Sequence, residues 1–242
     1  MMPISRRGLL GHAGAAVGLG LLAGSGRAVA QQGPQAPRPG QTLALSVDGT
    51  GGTLVVNLPP PLPKLDFRGA RMVTVLDGAT DFVGLRTRMF TAVATHPTFG
   101  KITLGLPNTE AGSNGVLALA PSGRHLIETW HQNMYVTFER CGQCPGPFGF
   151  HTLEPAEWTA ELPQFPPPPQ QSTLKGAAAG GARYRMTRPI RLGATPESGG
   201  AGHASDACSC AFRFPLSGAN SPLGAEFARI EGLTFEQALQ AP

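Results

Sequence analysis

Four cysteines in two close pairs are the side chains in this sequence best suited to chemistry. They stand as Cys141-Gly-Gln-Cys144 and Cys208-Ser-Cys210. In an oxidising compartment, an even number of cysteines pairs by default into disulfides. A bridge within Cys208-Ser-Cys210 would close a strained ring. Bridging across the pairs ties the turn at 141–147 to the end of a glycine- and serine-rich stretch at 193–207. Closing a loop of roughly 65 residues contributes about 4 kcal/mol in the chain-entropy picture. The alternative is a four-thiolate metal site. Cys-x-x-Cys in a tight turn converges two sulfurs tetrahedrally on zinc, whereas Cys-x-Cys is a weaker half-site. Copper accepts the same soft ligands, with His151 or His203 as extra donors. A thioredoxin-like redox role needs Cys-x-x-Cys at a helix N-terminus. Pro145-Gly146-Pro147 opposes a helix there, and no βαβ unit surrounds the motif.

Other side chains group by strand parity. His125, His131 and Tyr135 share one parity and form a candidate ligand face, a pattern that a polar outer sheet face reproduces equally well. Arg86 and Arg88 share one face, and Arg183, Arg185 and Arg191 another. If their strands are neighbours, they make a basic patch suited to carboxylate, sulfate or an acidic polymer. Glu154, Glu157 and Glu161 are the one carboxylate cluster. Glycosidic acid–base work needs two carboxylates roughly 5–9 Å apart, but Pro155 and the lack of surrounding aromatics make a solvated edge the better reading. No Gly-x-Ser-x-Gly elbow, His-Glu-x-x-His, phosphate loop or dinucleotide fingerprint occurs. The balance leans away from catalysis.

The N-terminus carries an address. Ser5-Arg6-Arg7-Gly8-Leu9-Leu10 precedes a glycine-diluted apolar stretch to Leu22, and Ala28-Val29-Ala30 offers the small-x-small pattern of a signal peptidase site. This resembles the twin-arginine export signal. The resemblance implies the twin-arginine machinery and signal peptidase as partners of the precursor, and a periplasmic or secreted mature protein. The stretch is shorter than the roughly 20 apolar residues of a spanning helix, and no later segment is long enough. No stable membrane insertion of the mature chain is expected.

Of 19 basic residues, Arg6, Arg7 and Arg27 belong to this leader, which leaves the mature chain near neutrality against 15 acidic residues. Nucleic acid is therefore not an expected partner. With 33 glycines and 24 prolines, the composition suits a loop-rich β protein.

Positioning falls to strands. Alternation marks Thr42–Val47 and Leu54–Leu58 around the glycine-rich Asp48–Gly52, predicting a hairpin. It returns at 71–76, 81–96, 101–106 and 116–120. In 126–138, Leu126, Trp130, Met134, Val136 and Phe138 share a face. That run is long for one strand, which predicts a break near Gln132-Asn133. Residues 148–153, 158–162, 183–192 and 211–216 complete the set. Ser221-Pro222, with Phe227, Ile230 and Leu233 at helical spacing, predicts a short C-terminal helix. The expected organisation is a leader at 1–30, a flexible arm at 31–40, and an all-β antiparallel sandwich of nine to eleven strands at 41–242. The function this implies is an exported non-catalytic binding or structural domain, stapled by disulfides and without a cofactor. The alternative is an exported metalloprotein with zinc or copper on the four cysteines.

Overall fold

Where every second side chain is apolar, a strand has one face to hide, and sheets that curl shut hide it from all sides. The computed structural model describes residues 37–79, 81–107, 113–169, 180–193 and 225–240. Among them are thirteen antiparallel strands and no helix. They are β1 (Thr42–Val55), β2 (Lys64–Gly78), β3 (Phe82–His96), β4 (Gly100–Gly105), β5 (Asn114–Leu119), β6 (Leu126–Gln132), β7 (Tyr135–Cys141), β8 (Cys144–Thr152), β9 (Ala156–Leu162), β10 (Ala182–Arg188), β11 (Ile190–Gly193), β12 (Glu226–Glu231) and β13 (Thr234–Leu239). The all-β antiparallel expectation holds, with more strands than anticipated.

The pairing closes twice. One circuit runs β1-β2-β3-β4-β7-β8-β11-β12 and returns to β1. The other runs β1-β13-β10-β9-β6-β5-β3-β2 and returns to β1. The long strands β1, β2 and β3 belong to both circuits and form a side that two barrel-like halves share. β3 shows the division: its 91–96 half pairs with β4, and its 82–86 half pairs with β5.

Two local expectations are corrected. The glycine-rich Asp48–Gly52 does not turn back as a hairpin; β1 runs straight through it to Val55. Nor do the residues after Ala225 form a helix. β12 pairs with 53–55 of β1 and β13 with 45–50, so the C-terminal segment lies antiparallel along β1, interrupted at Gly232. Gly232 and Gly51 face each other there, each with positive φ (68° and 75°), a conformation that glycine adopts without the usual penalty. The helical spacing misled because consecutive side chains here are buried: Phe227, Ala228, Ile230, Leu233 and Phe235 are all core. A strand hidden on both sides loses its period of two. By contrast, the predicted break in 126–138 is present, with Asn133-Met134 separating β6 from β7.

The two interiors differ in chemistry. The first half is filled by apolar side chains such as Phe67, Ile102, Leu104, Phe138, Phe150, Ile190 and Ile230. The second holds the stacked pair Trp130 and Trp158, with ring centroids 4.7 Å apart, together with Phe235 and Tyr184. It also holds a cluster of polar groups.

Candidate functional site

Strand parity sends one side chain from each of five strands into the second interior. Arg71 lies on β2, on the inward parity of Val73 and Val75, and is fully buried. Thr87 comes from β3, Glu128 from β6, Tyr184 from β10 and Gln237 from β13, and all four are buried. The Arg71 guanidinium joins them. Its Nε donates to Thr87 Oγ1 at 3.2 Å, and its Nη1 donates to Glu128 Oε1 at 2.8 Å and to Gln237 Oε1 at 3.3 Å. The Tyr184 hydroxyl donates to the other Glu128 oxygen at 2.6 Å. The Arg71 Cζ lies over the Trp130 ring, 4.1 Å from its centroid, a cation–π contact strengthened by burial.

Burial is the dominant electrostatic fact here. It pushes the Tyr184 hydroxyl well above its usual pKa, the Glu128 carboxylate pushes the same way, and Arg71 only partly opposes them. Tyr184 is therefore a fixed neutral donor. A charge hidden from water is tolerated when it is paired and hydrogen-bonded, and Arg71 and Glu128 supply that for each other. Two donors are nevertheless left over: Arg71 Nη2 and Gln237 Nε2 are buried without a partner. A buried polar atom left unpaired costs roughly 1–3 kcal/mol.

The residues singled out from sequence are distributed differently. His125 and His131 lie on the outer side of the second half, facing Glu161 at 3.9 Å and Glu157 at 3.4 Å across β9. Tyr135 is separated from them by the break after β6; it sits on β7, opposite His151. The arginines do not gather. Arg86 and Arg88 are on β3, which pairs with β2, β4 and β5; Arg183 and Arg185 are on β10, between β9 and β13. Arg191, on β11, bridges Glu226 at 2.6 Å and Glu154 at 2.9 Å, and those carboxylates hold its guanidinium pKa above the usual value. Arg183 and Arg185 do share an open groove of about 550 Å³ with Ile127, Thr159 and Glu161. The carboxylate cluster is spent in pairs: Glu154 with Arg191, Glu157 with His131 and Arg188, Glu161 with His125.

Cys141 and Cys144 end β7 and begin β8, and stand opposite each other across the turn Gly142-Gln143. No cysteine among the described residues is free. Cys208 and Cys210 lie outside the described residues, as do the leader, the first part of the arm and His203. The last residues of the expected arm are tied down, Gly40 donating to the Val75 carbonyl at 2.8 Å.

Reasoning from sequence missed the Arg71 cluster, although a signal was present. Glu128 occupies the apolar parity between Leu126 and Trp130, and Arg71 that of Val73 and Val75. A charge in phase with the core is the mark of a buried ion pair.

No protein family matches the chain, and no curated protein does. Its fold is similar to that of DynF from the dynemicin biosynthesis pathway of Micromonospora chersina, with a TM-score of 0.55 and 14% identity, over 86% of this chain and 85% of that one. At that identity the likeness is one of fold alone.

Proposed function

We propose that the mature chain is an exported, non-catalytic binding domain, stapled by disulfides, that takes its ligand into the second barrel-like half at the Arg71 cluster. The observation that carries this reading is the pair of buried donors without partners, Arg71 Nη2 and Gln237 Nε2. Native interiors satisfy nearly all such groups. Donors held ready inside aromatic walls match the general form of a ligand site, mostly apolar with a few placed polar groups. The one hydroxyl–carboxylate pair among the assembled groups is Tyr184 on Glu128, and burial holds that hydroxyl in its neutral, donating form, which supports binding over catalysis. Export rests on the leader at 1–30, and the staple on Cys141, Cys144, Cys208 and Cys210 in the compartment that the leader implies.

Native mass spectrometry of protein matured through its own export route tests the binding reading. A co-purifying small molecule that is lost on Arg71→Met supports it. It fails if the protein is ligand-free and no member of a panel of small carbonyl, hydroxyl and carboxylate compounds raises its melting temperature. For the staple, the intact mass under non-reducing conditions should fall short by about four hydrogens; one equivalent of zinc on free thiols would overturn it. Replacing Arg6-Arg7 with lysines should leave uncleaved precursor in the cytoplasm; continued export would remove the twin-arginine assignment.

A further inference from the structure

The Arg71 cluster is asymmetric in what it leaves unused. Glu128 has both oxygens occupied, Oε1 by Arg71 and Oε2 by Tyr184. The Gln237 carbonyl is occupied by Arg71, and the Thr87 hydroxyl accepts from Arg71 Nε. The nitrogens that remain without a partner are Arg71 Nη2 and Gln237 Nε2, each carrying two N–H bonds. These two side chains are bonded to each other through Nη1 and Oε1. A group that pairs with these two nitrogens must therefore be an acceptor.

Its charge follows from the same inventory. The positive charge of Arg71 already faces the negative charge of Glu128 at 2.8 Å, with both side chains fully buried. The third buried charged residue among those described, Glu226, belongs to β12 in the other circuit and is paired with Arg191 and Arg229. An incoming carboxylate would thus add an uncompensated negative charge to a neutral, water-poor interior, which is strongly unfavourable. An uncharged oxygen pays no such penalty. The Trp130 ring lies against the guanidinium and packs in turn on Trp158, Phe90 and Phe235, with ring centroids 4.7 to 5.7 Å apart, so the two nitrogens sit in an aromatic surround.

We infer that the ligand presents an uncharged carbonyl-type oxygen, as in an amide, ketone or ester, to Arg71 Nη2 and Gln237 Nε2, and that its carboxylate analogue is rejected. This rests on the binding reading above and adds the charge of the ligand to it.

Two isosteric pairs test it on the exported, oxidised protein: acetamide against acetate and benzamide against benzoate. Binding is followed at millimolar concentration by tryptophan fluorescence and by thermal shift. The amide of each pair should bind at least ~10-fold more tightly, a gap of about 1.4 kcal/mol. Gln237→Met, which removes one donor but keeps the bulk, should weaken amide binding by a similar factor. Carboxylates binding as tightly as amides, with both lost on Gln237→Met, would overturn the inference while leaving the binding reading intact. Amide binding that ignores Gln237→Met would also overturn it, by placing the contact elsewhere. If neither class binds and a crystal structure shows one water bridging the two donors, both the inference and the reading beneath it fail.

Discussion

If Arg71 and Glu128 are each other's only charge compensation, removing one should be far worse than removing both. Arg71→Met keeps the length of the side chain but strands the Glu128 carboxylate with the Tyr184 hydroxyl as its one remaining donor. Glu128→Leu strands the guanidinium in the same dry space. Each side chain is fully buried, so no solvent screening softens the loss, and breaking such a pair costs about 3–5 kcal/mol. For a domain near 200 residues, with about 2–4 °C per kcal/mol, each single variant should melt roughly 6–20 °C lower. In the double variant no buried charge is left in this cluster. What persists is the loss of partners by Tyr184, Thr87 and Gln237, so the double should cost less than the two singles combined, with a coupling of at least ~2 kcal/mol. Guanidinium denaturation followed by tryptophan fluorescence reads this directly, because the Trp130 ring lies against Arg71. Single and double losses that add to within about 0.5 kcal/mol would refute the reasoning.

Tyr184→Phe should cost about 1.5–3 kcal/mol by leaving Glu128 Oε2 without its donor. It should also flatten the alkaline limb of stability. The folded pKa is raised, so this contribution is complete below the ordinary tyrosine value near ~10 and is lost as pH climbs through the folded value; equal slopes of melting temperature between pH 8 and 11 in the two proteins would contradict that. Gly232→Ala forces a side chain into positive φ where the chain passes Gly51, and should cost about 1–2 kcal/mol, read as a melting shift; no shift would mean that the backbone relaxes there. Arg191→Ala should cost only about 1 kcal/mol, since Arg191 is substantially exposed and Arg229 still reaches Glu226. Lysine should not restore it, because it cannot span Glu226 and Glu154 as the guanidinium does; full rescue in a melting assay would show that charge alone matters.

Strand character was legible wherever one face is wet. In 126–138, His131 and Thr129 alternate with Trp130 and Glu128, and the break at Asn133 shows as an interruption of that rhythm. The C-terminal segment was not legible, because Phe227 and Ala228 are both covered and alternation requires one exposed face. Glycines serve close approach as well as turns, so Asp48–Gly52 has the composition of a turn although its glycines let β1 run close beside β13, where Phe235 crowds Gly49. The candidate site was readable one residue at a time but not as a unit. Nothing local says that β2, β6, β10 and β13 converge, and only the pairing order brings Arg71 to Glu128 across 57 positions. The same ignorance of pairing order left open whether the arginine-bearing strands are neighbours; β3 does not pair with β10 or β11.

The last strands lie against the first, and both circuits pass through that seam. Leu239 pairs with Leu45 and Ile230 with Leu54, so neither half can shut until β12 and β13 are in place. A ribosome-bound fragment ending before Glu226 would expose two open sheets rather than one finished half. Closure is slowed by the entropy of joining distant segments. Clipping the final segment should open both halves together.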